Sequence, residues 1–373
     1  MRTRYGRPAF QGCGYIGFGA ACALATGLAR YGGLSLWIVA ALAVSGAITF
    51  FALAMATKIV TGAETLTYYH HQTAILLVAA LLLWRLRAPL LPFLDVTILS
   101  IGLFLVFGRI GCLKSGCCYG LPWHGGVRYS TECVASGFPR HLAEVPLLPV
   151  QAIESLWVLG IVCWGALQVV TGHPPGSALS SYCVLYAWGR FFLEFLRGGP
   201  NRPFFWRFSE AQWTSFAIVC GAVCAEALGI LPLQPWHGAA IALIAVSVIA
   251  LQLHPRLRSL HRLFHPLHIE EFAEALELVS DLAADDRRQS PVRTIHLAST
   301  KMGIQISCGH LIAGKTVRHY TLSQTGEAMS ERTARCLATL VPQLTRSPQP
   351  VQVLAGRAGV FHLLMESVFR HPG

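Results

Sequence analysis

Eight stretches of the chain are apolar over about 20 residues each, the length that a helix needs to cross the hydrocarbon core of a bilayer. The pattern predicts an all-α polytopic membrane protein with seven or eight transmembrane helices. The first stretch follows a basic N-terminus but is rich in glycine and lacks a clear cleavage site, so we expect a retained helix. The stretches fall near 10–30, 34–57, 72–90, 93–113, 149–171, 177–197, 211–231 and 236–253.

The pattern changes after His254, where polar and charged positions begin to dominate. We therefore predict a transmembrane domain over 1–254 and a soluble C-terminal domain of unknown role over 255–373. In the second domain, apolar residues at three- and four-residue steps predict an amphipathic helix over 268–286, and Ser330 is placed to cap another helix. A small α+β domain fits these helices together with β-rich segments at 292–298, 303–308 and 317–322.

The longest polar interruption between apolar stretches runs over 114–148. A loop of this length within a compact membrane domain is usually functional. We expect it to lie on the substrate side.

The composition supports a membrane protein and indicates which partners it binds at the bilayer surface. The chain has 373 residues, of which 54% are hydrophobic and 13% charged, against roughly 25% charged in soluble domains. Its mean hydropathy is +0.51. The net charge of +11 comes mainly from residues at the ends of apolar runs and in the C-terminal third, which favours anionic lipid headgroups as partners and not nucleic acid.

The twelve cysteines fall at irregular positions and do not resemble a disulfide framework. Cys112, Cys117, Cys118 and Cys133 lie near the predicted membrane surface, where bridging or metal binding is open to them. Because no CxxC pair with its usual partners is present, we expect no metal and no cofactor. Five others lie inside apolar stretches, where a thiol packs as a small hydrophobe: Cys22, Cys163, Cys183, Cys220 and Cys224.

The fourth apolar stretch ends in a run that combines a permanent cation with glycines and thiols. An arginine at this position is costly unless it snorkels to the surface or meets an anion, and glycines allow a ligand to approach the backbone. The run indicates binding of a phosphate-bearing lipid, although a snorkelling arginine before a glycine-rich turn explains it equally well. Its candidate residues are Gly108, Arg109, Gly111, Cys112, Gly116 and Gly120.

The sixth stretch carries polar residues at steps of four, four and three: Tyr186, Arg190, Glu194 and Arg197. This spacing predicts one helix face that bears a phenol, two guanidiniums and a carboxylate. Glu194 is then able to orient both arginines toward a shared anion, while a structural ion pair is the alternative.

Other ionisable residues stand at the starts of apolar stretches. His70 and His71 offer imidazoles that accept a proton near neutral pH, or they form an interfacial pair solvated by headgroups. Gln151 and Glu154 lie one turn apart, and Asp95 is similarly placed. Orienting and helix-capping roles compete with catalysis at these three positions.

Residues 10–231 resemble the bacterial prolipoprotein diacylglyceryl transferase family. The run from Gly108 to Gly120 fits the family's Gly-Arg-x-Gly-Asn signature, except that Cys112 replaces asparagine and Cys117 stands where an acidic residue is common. The family's imidazole is normally followed by two glycines, which are absent after His71. Further matches are Tyr186 to Arg197, Ser209 to Ser215, Arg140-His141 and Gln151 to Glu154.

The resemblance implies transfer of the diacylglyceryl group from phosphatidylglycerol to the lipobox cysteine of a precursor protein, with release of glycerol phosphate. His70 or His71 would act as base, and Arg109 and Arg190 would neutralise the phosphate. The remaining candidates would contact substrate, in the inner membrane with the site facing the periplasm. The alternatives are transfer to another acceptor, thiol redox chemistry through Cys112, Cys117 and Cys118, or a non-enzymatic anchor that binds anionic lipid.

Overall fold

The computed structural model of the chain describes residues 2–3, 7–62, 67–199, 202–289, 295–313, 315–347 and 349–366. Within these residues, each of the eight apolar stretches forms an α-helix, which confirms the predicted helical membrane part. The helices are α1 (Arg7–Tyr31), α2 (Leu36–Thr61), α3 (Tyr68–Arg85), α4 (Leu90–Ser115), α5 (Val150–Val170), α6 (Ser177–Leu193), α7 (Glu210–Ala227) and α8 (Trp236–Leu253).

Five of the described helices are long and apolar enough to cross a membrane by length and composition: α1, α2, α4, α5 and α8. The multi-pass membrane architecture is confirmed. Helices α3, α6 and α7 pack in the same bundle, so the number of seven or eight spans stays a prediction.

Helix α4 lies at the centre of the bundle and contacts α1, α3, α5 and α6. Its Asp95 carboxylate accepts hydrogen bonds of 2.7 Å from the backbone N–H groups of Gly176 and Leu179, at the start of α6. These donors have no partner inside α6, and a carboxylate near them is also favoured by the helix dipole. Asp95 is thus a helix cap that fixes α6 against α4.

The segment between α4 and α5 is more ordered than its polar residues indicated. It contains β2 (Pro122–Tyr129) and β3 (Pro146–Leu147), which pair in a three-stranded sheet completed by β1 (Arg2–Thr3). Two 3-10 turns, Thr131–Ser136 and Arg140–Leu142, join β2 to β3.

The C-terminal region forms a small strand-rich domain, as predicted. A five-stranded antiparallel sheet has the order β6-β7-β8-β10-β9. Its elements are α9 (Pro255–Leu263), α10 (Pro266–Gln289), β6 (Leu297–Ser299), β7 (Ile304–Ala313), β8 (Lys315–Gln324), α11 (Glu331–Leu344), β9 (Gln352–Ala355) and β10 (Phe361–Glu366).

Both helices expected in this domain are confirmed, and Ser330 Oγ accepts a hydrogen bond of 3.1 Å from Thr333 N at the start of α11. Of the strand expected at 292–298, residues 292–294 lie outside the described residues. Strands β9 and β10 were not predicted, and they are short, at four and six residues.

One hydrophobic core joins the α4–α5 segment to the C-terminal domain. Tyr129, Val145 and Leu147 from the segment pack in the same cluster as Phe272 and Leu276 from α10. The α4–α5 segment therefore forms the surface on which the C-terminal domain packs.

We expect Phe272→Ala to destabilise this shared core by about 3–5 kcal/mol, because truncating a buried phenylalanine loses burial and leaves a cavity. Phe272 is 0% exposed, and the thiol of Cys133 is buried in the same core. The rate of maleimide labelling at Cys133 should rise, and the thermal unfolding midpoint should fall. Leu278→Ala on the exposed side of the same helix is the control, and equal labelling in both variants would contradict a shared core.

Candidate functional site

Two buried ion pairs connect the three central helices. Arg109 on α4 and Glu154 on α5 approach to 2.9 Å, and Arg190 on α6 lies 2.6 Å from Glu194. Glu154 also lies 3.9 Å from Arg190 Nε, which joins the two pairs into one cluster. All four side chains are buried. Such a cluster is expensive to desolvate, so its presence inside an apolar bundle indicates a role beyond packing.

Glu194 is the acidic centre on which the other arginines converge. Arg197 lies 3.6 Å from its carboxylate, and Arg202 makes a close ion pair with the same group. The prediction of one helix face is wrong here, because α6 ends at Leu193 and Arg197 has extended backbone after a 3-10 turn. This change of direction lets Arg197 and Arg202 reach the carboxylate from beyond the helix.

Four guanidiniums therefore face two carboxylates, which leaves two positive charges in excess within the cluster. Arginine stays charged even when buried, so proton loss does not relieve this excess. An anion that enters the cluster would balance the charge, and the planar forks are suited to bidentate contacts with phosphate oxygens. Arg202 was missed as a candidate, since nothing in its local pattern separates it from surface arginines.

Tyrosines cover one side of the cluster. The Tyr186 hydroxyl donates a hydrogen bond of 3.0 Å to Glu154. The rings of Tyr68 and Tyr69 stand edge-on against Tyr186, and the Tyr69 hydroxyl lies 2.6 Å from Ser215 Oγ. Tyr69 is 5% exposed, so it belongs to the interior of the bundle.

Backbone hydrogen bonds join the run after α4 to the segment after α6. Leu121 N donates to Leu196 O at 2.9 Å, and Gly198 N donates to Tyr119 O at the same distance. Burial raises the pKa of the Tyr119 phenol to about 12. Gln151 Nε2 donates to Cys117 O at 2.7 Å, which ties the run to the start of α5. The two sequence signatures are thus held together by main chain as well as by charge.

The four candidate glycines have different surroundings. Gly111 packs against Phe10 of α1, Gly116 ends α4 in a left-handed conformation with φ of 71°, and a side chain at Gly120 would meet Leu148 O. These three positions allow close packing of the chain itself. Gly108 has open space where a Cβ would stand, so it is the one of the four beside which a ligand fits without displacing protein.

The two candidate histidines, His70 and His71, differ in burial and in hydrogen-bond partners. His70 is exposed and lies 3.0 Å from Glu210. His71 is buried, and its Nδ1 lies 2.9 Å from the Thr67 carbonyl oxygen, which only accepts hydrogen bonds, so Nδ1 carries the hydrogen. Nε2 then bears a lone pair and is buried without a hydrogen-bond partner among the described residues. Glu210 and Thr67, the partners of the two histidines, are not members of the arginine cluster. The role of catalytic base stays a prediction for both histidines.

Three of the four cysteines near the surface come together beside the cluster. The sulfurs of Cys112, Cys117 and Cys118 lie within 4.8 Å of one another, whereas Cys133 is buried in the core shared with the C-terminal domain. Hydrogen bonds from the Cys112 and Cys117 thiols hold the pKa of the Cys118 thiol well below its usual range. The sequence had grouped all four near the membrane surface, and the redox alternative named Cys112, Cys117 and Cys118 without Cys133.

Comparison with known proteins confirms the resemblance over the central part of the chain. Residues 66–227 match the family model of prolipoprotein diacylglyceryl transferase, and this range contains the whole arginine cluster. The N-terminal helices α1 and α2 and the C-terminal domain lie outside that match.

Several curated relatives are similar to the chain over about 130 residues. A phosphatidylglycerol--prolipoprotein diacylglyceryl transferase 2 of Clostridium perfringens is 33% identical over 35% of this chain and 48% of the relative. The corresponding transferase of Clostridium tetani is 31% identical over 35% of this chain and 51% of the relative. That of Dehalococcoides mccartyi is 31% identical over 35% and 48%, respectively. The chain thus spans about half the length of the curated relatives it matches.

Proposed function

We propose that this membrane protein transfers the diacylglyceryl group of phosphatidylglycerol to the cysteine thiol of a lipobox-containing precursor protein, releasing glycerol phosphate. The single observation that carries the proposal is the excess of two positive charges around the buried carboxylates of Glu154 and Glu194. The names of the relatives identify phosphatidylglycerol and a prolipoprotein as the substrates of those proteins. The charge excess and these names both indicate a phosphate-bearing lipid as the donor.

In this proposal Arg109 and Arg190 bind the phosphate of the lipid. The Glu154 carboxylate lies within 4 Å of both guanidiniums and sets their separation, while the Tyr186 hydroxyl donates a hydrogen bond to the same carboxylate oxygen. As the carbon–oxygen bond to the phosphate breaks, negative charge grows on the leaving oxygen. Guanidiniums that are already positioned stabilise that charge without reorganising, which is the usual source of large rate effects in such sites.

The acceptor thiol must lose its proton before its sulfur attacks the glyceryl carbon. The proton goes to an imidazole, a carbon–sulfur bond forms, and the carbon–oxygen bond breaks with its electron pair going to glycerol phosphate. His71 suits the role of base better than His70, because its buried Nε2 lone pair is free whereas His70 is paired with Glu210. The glyceryl backbone is expected beside Gly108, where the helix surface is open.

For this reaction we propose a location in the bacterial inner membrane, with the site open toward the periplasm, where precursors emerge. The α4–α5 segment and the C-terminal domain docked on it would lie on that same side, above the cluster. Labelling of the exposed thiol of Cys117 in intact cells with an impermeant maleimide tests this orientation.

The transfer is tested with purified full-length protein, phosphatidylglycerol labelled in its acyl chains, and a lipobox peptide. The proposal predicts labelled peptide and an equal amount of glycerol phosphate, with no label on a peptide whose cysteine is replaced by serine. Glycerol phosphate without labelled peptide would contradict the acceptor, and neither product would contradict the reaction itself.

We expect His71→Asn to lower kcat by about 10²–10⁴-fold, the range for loss of a general base, and His70→Asn to change it by less than about threefold. Asparagine keeps a donor that is able to reach the Thr67 carbonyl, so the fold should survive. Rates from the same peptide assay, with thermal unfolding of both variants, check this. Equal losses in the two variants would contradict the assignment of His71.

A further inference from the structure

The cysteines at the end of α4 form a compact group that the transfer reaction leaves unused. Cys112 lies in the last turn of α4, and Cys117 and Cys118 follow the reversal at Gly116. All three are free thiols, and their sulfurs lie within 4.8 Å of one another. This spacing is close to the separation of two ligands that share one metal ion.

The backbone is held in an unfavourable conformation to make this group. Cys118 has φ of 57°, in the left-handed region that costs energy for any residue with a Cβ. The hydrogen bond from Gln151 Nε2 to Cys117 O and that from Gly120 N to Leu148 O hold the chain on either side of it. Strain of this kind, fixed by surrounding structure, is typical of functional sites.

The charge around the group suits anionic sulfur. Arg109 stands one turn before Cys112 on α4, and Arg197 forms a β-bridge with Gly120, two residues after Cys118. Thiolates, the form in which cysteine binds metal, are stabilised by nearby cations. Three thiolates with one divalent ion retain one net negative charge, which balances only one of the two excess positive charges of the arginine cluster and leaves the other for a phosphate.

We propose that Cys112, Cys117 and Cys118 form a binding site for a thiophilic metal ion, with Zn²⁺ as the ion of best fit. Zinc prefers tetrahedral sites built from thiolate and imidazole ligands. Among the described residues, the group contains three such ligands and no fourth histidine, cysteine or carboxylate. Three protein ligands with an open fourth position are typical of zinc sites at which an external ligand, such as water or a thiol, binds. This site does not depend on the transfer reaction proposed above.

Metal binding is tested on the full-length protein in detergent, purified with a phosphine reductant and stripped with a chelator. Titration with Cd²⁺ reports thiolate ligands through the sulfur-to-cadmium charge-transfer band, and elemental analysis counts bound Zn²⁺. We expect one ion per chain and a band intensity of three thiolates. Cys117→Ser and Cys118→Ser should each lose the bound ion, while Cys163→Ser and Cys224→Ser should keep it, because those exposed thiols lie on other helices.

Cys117 is exposed, so its serine variant should keep the fold, which thermal unfolding verifies. Binding of less than one ion per chain by the reduced protein would overturn the proposal. So would binding that is unchanged in the Cys117 and Cys118 variants. Loss of two titratable thiols on mild oxidation, in a protein that binds no metal, would identify a redox pair instead.

Discussion

Arg190→Lys is expected to lower kcat for diacylglyceryl transfer by about 10²–10³-fold, the effect of losing one positioned donor to a developing anion. Lysine keeps the charge but replaces a planar fork by a single ammonium, which contacts fewer oxygen atoms at once. In the protein Arg190 lies 2.6 Å from Glu194 and 3.9 Å from Glu154. An ammonium is not able to hold both carboxylates and a phosphate.

The matched control is Arg85→Lys, an exposed arginine at the end of α3 that carries the same change of head group outside the cluster. It should retain the parent rate. Steady-state kinetics with the lipobox peptide and thermal unfolding should be measured for both variants. A parent-like rate in the Arg190 variant would mean that its guanidinium does not contact the reacting phosphate.

Gly189→Ala is expected to cost about 1–3 kcal/mol or more of stability and to reduce transfer as well, because it overpacks the contact between α5 and α6. A Cβ at Gly189 would overlap the indole of Trp157, whose Nε1 donates a hydrogen bond of 3.1 Å to Leu185 O. Glu154 and Arg190 lie on these two helices close to the contact. A shift of either helix would separate them.

Gly160→Ala on α5 is the control, since no atom of another helix lies within 4 Å of its added Cβ. In a helix interior, alanine is favoured over glycine by about 1 kcal/mol, so this variant should be at least as stable as the parent. Thermal unfolding in the same detergent compares the two. Equal thermal unfolding midpoints in the two variants would contradict this prediction, because they would show that the contact between α5 and α6 accepts an added methyl group at Gly189 without loss of stability.

The helices of the membrane part were predictable because their signal is strong and local. Each span needs about 20 apolar residues with few charges, so an exception such as Arg109 or Glu154 is conspicuous in the sequence. The spacing from Tyr186 to Arg197 also indicated shared chemistry. It did not show that the helix ends before Glu194, because the end of α6 is fixed by contacts with residues 119–121, distant in sequence.

Contacts that bring distant segments together explain the rest of what was missed. Arg202 joins the cluster through the turn after α6, and the polar appearance of 114–148 concealed residues such as Val145 that lie in the core shared with the C-terminal domain. The convergence of Cys112 with Cys117 and Cys118 depends on the left-handed backbone at Gly116 and Cys118. Periodicity carries no information about such reversals.

Binding of a lipid phosphate by the arginine cluster is measured without the transfer reaction by lipid binding in the absence of acceptor. Full-length protein is equilibrated with phosphatidylglycerol or with diacylglycerol of the same acyl chains, which lacks the phosphate, and retained lipid is counted by native mass spectrometry. We expect one bound phosphatidylglycerol per chain, at least tenfold weaker retention of diacylglycerol, and loss of this preference in the Arg109→Lys, Arg190→Lys double variant. Equal retention of the two lipids, or a preference unchanged in that variant, would contradict this expectation.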